Sequence, residues 1–452
     1  MTSSAPREKL PRQIAFLAWN EAAERFSYYG MTSILALHMA RNLGFAENKA
    51  VAAFQIFTFA VYFMPMIGAF VADRFWGRYR TILFLSFGYV VGHATLAAWE
   101  SRAGLVAGLA LIAIGAGGIK PCASAFAGDQ VVSGDRETVS RVYDLYYWMI
   151  NLGSTASTIL IPLLLDHVSA RAAFGVPGLA MAAALLVFWV GRRRYVKPPP
   201  VPGDRHGFFR VAATALARRG LDAARGEHPA EAVDGVRAVL RISSVFAPCA
   251  IFWALFFQYG SSWTFQAEKL DRVVLGLTIS AGQVSTLNAL FVLSLIPVFA
   301  LWIYPAIERR GVRVTPLGKM TVGMFVTVLS FVAAAFVQAA MDRGPAPNVA
   351  WQVPQYLFLS VGEVLVSVTA LEFAYTQAPA RMKSAIMGLW YVTIAAGSLL
   401  TALVAWLNRF QGVAYFGFFA ALMLGAAFAF ALVARRYRRV QAAPQPEPAT
   451  GV

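Results

Sequence analysis

Runs of about 20 apolar residues recur along the whole of this 452-residue chain, and no other feature constrains its fold as strongly. A helix of that length crosses the hydrocarbon core of a bilayer. Composition agrees: 58% of residues are hydrophobic, 14% are charged and the mean hydropathy is +0.58, whereas a soluble domain has about 25% charged residues. The chain reads as an integral, all-α membrane protein. Twelve spans are expected, near 14–38, 50–72, 80–99, 103–127, 141–165 and 173–191, then 243–261, 278–304, 316–340, 351–377, 383–408 and 412–434. Between the sixth and seventh lies a polar stretch, 192–242, read as a linker with one or two amphipathic helices. The expected organisation is a bundle at 1–191, the linker at 192–242, a second bundle at 243–435 and a disordered tail at 436–452.

Lysine and arginine collect in cytoplasmic loops of multi-pass proteins. With the N-terminus inside, the cytoplasmic segments hold 29 of the 39 basic residues, the external loops hold 8, and Arg25 and Lys120 lie within spans. The net charge of +16 is therefore mostly topology and calls for no nucleic-acid partner. The start, MTSSAPREKLPRQ, is short, polar and basic with no cleavage site, so the first span is expected to stay as an anchor. Both termini are expected in the cytoplasm, and the membrane is expected to be the cell (inner) membrane. Cys122 and Cys249 fall in apolar segments and read as buried free thiols; no metal-ligand spacing appears.

Six spans, a basic linker and six more resemble the layout of a major facilitator bundle, two six-helix halves around a central cavity. The stretch GAFVADRFWGRYR at 68–80 resembles the cytoplasmic motif of that superfamily at Gly68, Asp73, Arg74, Gly77 and Arg78. Its acid and bases are able to pair as the halves close.

Charges inside the apolar runs need a reason, since an ionised group in lipid is costly unless paired, neutralised or used. The first span carries Glu21, Glu24 and Arg25 in NEAAERFSYYG. Spacings of three and four put Glu21, Glu24, Arg25 and Tyr28 on neighbouring parts of one helix surface. Two close carboxylates resist joint ionisation, and such a pair is suited to holding a proton. Lys120, in GAGGIKPCASAF, is expected to seek one of those carboxylates. In the second half Glu363 and Glu372 are nine residues apart, about 180° around a helix, so one is expected to face the cavity and the other a neighbouring helix; spacing does not say which.

These stretches resemble the proton-coupled oligopeptide transporter (POT/PTR) family, carriers of di- and tripeptides within the major facilitator superfamily. NEAAERFSYYG matches its first-helix ExxERFxYYG pattern, and YYWMINLGS at 146–154 resembles its fifth-helix signature. GGIKPCASAFAGDQ and LEFAYTQAPARMKSAIMGLW are similar to the animal peptide carriers. The resemblance implies proton coupling through Glu21, Glu24, Arg25 and Lys120. It implies that Arg25 and Lys120 meet the peptide carboxylate, and that Glu372, with Asn288 nearby, receives the α-amino group. It further implies that Tyr28, Tyr62, Asn151 and Gln258 line the pocket and that Trp263 and Trp390 wall its side-chain recesses. Independently of any family, a zwitterion needs a positive and a negative pole in one cavity, and the two halves supply one each.

The chain departs from the family pattern at Phe257 and Ala300, where many members carry acids, and at Gln55, where animal carriers have a histidine. The leading expectation is a proton-driven symporter of di- and tripeptides, monomeric, embedded in lipid, without cofactor and not an enzyme. The alternatives are the same fold carrying nitrate or another small amino- or carboxylate-bearing solute, and a peptide-binding sensor without coupled transport.

Overall fold

The computed structural model describes residues 10–131, 136–200, 205–377 and 382–442. The first half contains α1 (Gln13–Arg41), α2 (Glu47–Val71), α3 (Gly77–Ala98), α4 (Arg102–Gly128), α5 (Arg136–His167) and α6 (Ala170–Val190). The linker holds α7 (Phe208–Ala217) and α8 (Ala230–Phe246). The second half continues with α9 (Cys249–Phe256), α10 (Ser262–Glu268), α11 (Thr286–Val298), α12 (Tyr304–Arg309), α13 (Pro316–Arg343), α14 (Val353–Glu363), α15 (Thr369–Gln377), α16 (Lys383–Leu407) and α17 (Gly412–Ala442). A two-residue hairpin, Val273–Val274 against Leu277–Thr278, is the sheet among the described residues.

Among those residues nine helices are long and apolar enough to cross a membrane, and a tenth span is the pair Ala230–Phe246 and Cys249–Glu268, bent by 48°. One of the nine, Glu47–Ala98, is 52 residues long. At 1.5 Å per residue a straight helix of that size would run to about 78 Å, more than twice a bilayer core. It does not run straight: α2 ends in a π turn at Ala72–Trp76, and Gly77, at φ 72°, starts α3 in a conformation that favours glycine. α1 is not among the nine; Glu21, Glu24 and Arg25 interrupt its apolar run.

The first half packs α3 and α2 on α4, and α1 on α5 and α6; the second packs α13 on α14 and α17. The halves meet along α2 with α16 and α5 with α11. Exposed Phe70, Phe84, Trp148, Leu179, Phe336 and Leu432 leave an apolar outer surface, as lipid requires. α8, in the expected linker at 192–242, ends at Phe246, and α17 ends at Ala442; residues 443–452, like residues 1–9, lie outside the described residues. Cys122 and Cys249 are buried and free.

Candidate functional site

α1 holds the first pole. Asn20 donates to Ala184 O at 2.9 Å and ties α1 to α6. Gly153 brings α5 onto α1 from the other side: a Cβ there would lie 2.2 Å from Ala22 O. Between these contacts Arg25 Nε donates to Glu21 Oε1 at 2.9 Å. It also lies 2.8 Å from Glu24 Oε2, without the geometry of a hydrogen bond. Glu24 is fully buried, and neither of its oxygens has a hydrogen-bond partner among the described residues. One guanidinium therefore faces two carboxylates, and only one of them is properly bonded. A buried carboxylate without a hydrogen bond is costly.

Lys120, beside Pro121 in α4, was expected to pair with one of these carboxylates. The structure gives it two rings instead. Its Nζ lies 4.3 Å from the centroid of Tyr28 and 4.1 Å from that of Tyr62, with no hydrogen-bond partner among the described residues. The ring quadrupoles attract the ammonium, and its donors make no hydrogen bond among the described residues.

On the second half, Asn288 meets an acid. Asn288, on α11, donates to Glu363 Oε2 at 2.9 Å and approaches Ser360 Oγ at 3.0 Å. Glu372 is exposed, with Oε2 3.5 Å from Lys319 Nζ, which lies over the Tyr304 ring at 4.9 Å. The acid beside Asn288 is therefore Glu363, not Glu372. The two acids lie on either side of a π turn, Val364–Val368, and α14 packs its Glu363 end against α11.

Aromatic residues fill the space between the poles. Tyr29 lies within electrostatic reach of Arg25 and of Glu363. Tyr391, on α16, lies within reach of Arg25 and Glu21; Tyr147 and Tyr259 lie within reach of Glu363. Tyr62 meets Phe257 at 5.2 Å and Tyr391 at 6.3 Å. Phe257 stacks on Trp253 at 5.6 Å, and Trp390 closes the group against Trp253 and Phe246.

The other candidates have contacts of their own. Trp263 is wholly buried inside the second half, against Tyr356 and Phe331. Gln258 bonds Ala254 O and accepts from Ser262, and Asn151 turns back to Tyr147 O at 2.7 Å. Gln55 reaches Ser261 across the halves at 3.3 Å. In the 68–80 motif, Asp73 and Arg74 lie exposed in the π turn. Gly68 lets α2 touch α4, since a Cβ there would meet Gly117 O at 2.2 Å. Arg78 Nη1 lies 2.6 Å from both carboxylate oxygens of Asp129. Sequence reasoning left Glu363 without a role and passed over Tyr29, Tyr147 and Tyr391; Tyr29 stood in the quoted first-helix pattern, and Tyr391 follows Trp390.

Polar contacts between the halves gather at the end of the bundle away from the linker. Arg41 bridges Asp166 of its own half and Glu268 of the other. Lys269 pairs with Glu47 at 2.8 Å, Ser280 donates to Asp166, and Thr286 bonds Thr158. This far end is closed.

The helices long and apolar enough to cross a membrane thus carry buried charged and aromatic clusters on both halves. The profile of the POT family matches residues 79–227 and 218–413, and the chain belongs to that family. It is 38% identical over 367 residues to Peptide transporter family 1 of Drosophila melanogaster, covering 75% of this chain and 49% of the relative. It is 37% identical over 388 residues to Solute carrier family 15 member 2 of Mus musculus, covering 79% of this chain and 53% of the relative. The chain thus spans about half the length of the curated relatives it matches. The crystal structure of the POT family transporter PepTSo superposes with a TM-score of 0.91 at 38% identity, covering 96% of this chain and 99% of that one.

Proposed function

We propose that the protein is a proton-coupled symporter of di- and tripeptides, working by alternating access. The observation that carries this is the pairing of poles: Arg25 and Lys120 on the first half, Glu363 held by Asn288 on the second. A peptide carboxylate suits the free donors of Lys120, and its ammonium suits Glu363. The intervening rings tolerate varied side chains. The names of the relatives, peptide transporter among them, support a peptide cargo. An acid in the second pole disfavours a simple anion such as nitrate.

Glu24 is the proton site in this reading. Protonated, it releases Arg25 to Glu21 alone; a peptide carboxylate drawing on Arg25 changes which carboxylate needs the proton. Glu21, Glu24, Arg25, Tyr28, Tyr29, Tyr62, Lys120, Asn151, Asn288, Glu363, Trp390 and Tyr391 form the working set. Gln258, Trp263 and Glu372 support it from outside. The membrane organisation in this reading is twelve spans, with the 52-residue segment counted as two, the bent pair as one and α1 as one. The linker end is cytoplasmic, together with both termini and the 68–80 motif, in a monomer of the cell (inner) membrane.

The test is dialanine uptake into proteoliposomes of neutral interior. Accumulation above the external concentration under an acidic exterior, collapsed by a protonophore, is the expected result. Peptide binding without flux would favour the sensor; absence of both would point to another cargo.

A further inference from the structure

A cleft of about 530 Å³ opens at the far end, remote from the charged poles. Its walls come from both halves: Glu47 and Asn48 at the start of α2 on one side, and Lys269, Phe410, Gln411 and Tyr415 on the other. Three features mark it as built to bind. Its size falls within the range of small-molecule sites, and its lining mixes aromatic rings, amides and one charge of each sign. The Tyr415 hydroxyl is buried beside Ser262 yet lacks a hydrogen bond of good geometry among the described residues; a buried hydroxyl in that condition wants a partner. The Lys269–Glu47 pair at the mouth spans the two halves with both side chains about half exposed, 53% and 50%. Such a pair is weak. A ligand with both an ammonium and an anionic group can replace that single contact with two.

We propose that this cleft binds small zwitterions, with or without an apolar group, and that it exists only while the far end is closed. Glu47 takes the ammonium, Lys269 takes the anion, and the rings take any apolar part. Because Glu47 and Asn48 must lie against the other half to complete the walls, an occupant binds the closed form alone and shifts the population toward it. The ligand chemistry has two sources, a peptide or amino acid from solution and an ethanolamine phospholipid headgroup. The effect on transport rests on the function proposed above; the binding does not.

Isothermal titration is run on the full chain carrying Glu363→Gln, which weakens the central pole, and binding at the cleft is read from its dependence on Tyr415 and Gln411. The probes are phenylalanylalanine and glycerophosphoethanolamine. Saturable binding of either, weakened about tenfold by Tyr415→Phe and by Gln411→Ala with the melting temperature of the parent kept, is the expected result. The peptide alone binding assigns a soluble ligand; glycerophosphoethanolamine competing for the same site assigns the headgroup. Neither probe binding, or binding that both variants leave unchanged, overturns the proposal. In proteoliposomes the bound probe slows dialanine exchange by the wild type several-fold more than by Tyr415→Phe. If no flux is seen in either, the titration still decides the site, and the failure belongs to the transport reading.

Discussion

Glu363 and Glu372 show how far a single side chain depends on its company. Glu363 shares α14 with Ser360 and takes a hydrogen bond from Asn288; Glu372 is exposed beside Lys319. A charge-assisted hydrogen bond to an ammonium contributes about 1.5–3 kcal/mol, so Glu363→Gln is predicted to raise the KM for dialanine on the order of tenfold or more. Glu372→Gln is predicted to stay within about twofold, because an exposed pair contributes at most about 1 kcal/mol. Uptake kinetics of the two variants side by side check this; equal effects would return the amino-group site to Glu372. The sequence made the poles legible, since Glu24, Arg25, Lys120 and the two second-half acids all break apolar runs. It hid which acid meets Asn288, because the π turn at Val364–Val368 is invisible to residue spacing. It also hid the rings around Lys120, because Tyr28 and Tyr62 come from different helices and meet only after packing.

At the scale of elements, α1 is set in place by α5 and α6. Gly153→Val would put a branched side chain where Ala22 O already lies. Overpacking of this kind costs about 1–3 kcal/mol, and a lowered melting temperature in detergent, with peptide affinity reduced as α1 tilts, is the predicted outcome. Unchanged stability would show that α5 has slack at this point. In the linker, α8 is held by an exposed network: Arg237 reaches Asp222 and Asp234, each at 2.7 Å, and Arg225 reaches Asp234. The hydrogen bond and charge of Arg237 lower the Asp222 carboxyl below its ordinary value of 3.8. Stability from a depressed carboxyl is present above that value and is lost as pH falls through the lower, folded one. Hydrogen exchange in α7 and α8 is therefore predicted to quicken below about pH 4, and in Asp222→Asn that acid-dependent step disappears. Most of these helices were legible as apolar runs. α8 keeps one helical register from its polar start to its buried end at Phe246.

For the whole molecule, closure of the far end follows from charge placed across the halves. Arg41 stands between Asp166 and Glu268. Removing its charge with Arg41→Gln leaves two carboxylates facing each other and biases that end toward opening. A cysteine at Ser280, buried beside Asp166 in the closed form, is predicted to react several-fold faster with an impermeant maleimide in that background. No change would mean that the remaining contacts, Lys269 with Glu47 and Thr286 with Thr158, hold the gate by themselves. The two-half architecture was legible from the order of spans and the basic linker, whereas the closed end was not, because it is built from loop residues that meet only in three dimensions.

The central claim is that Glu24 couples the proton to the peptide. It is tested most directly by recording proton entry and labelled dialanine entry in the same proteoliposomes, for wild type and Glu24→Gln. The account predicts that wild type takes up both together against a peptide gradient, and that Glu24→Gln exchanges dialanine at a near-normal rate with neither accumulation nor proton entry. Proton-driven accumulation by Glu24→Gln at the wild-type level would contradict it.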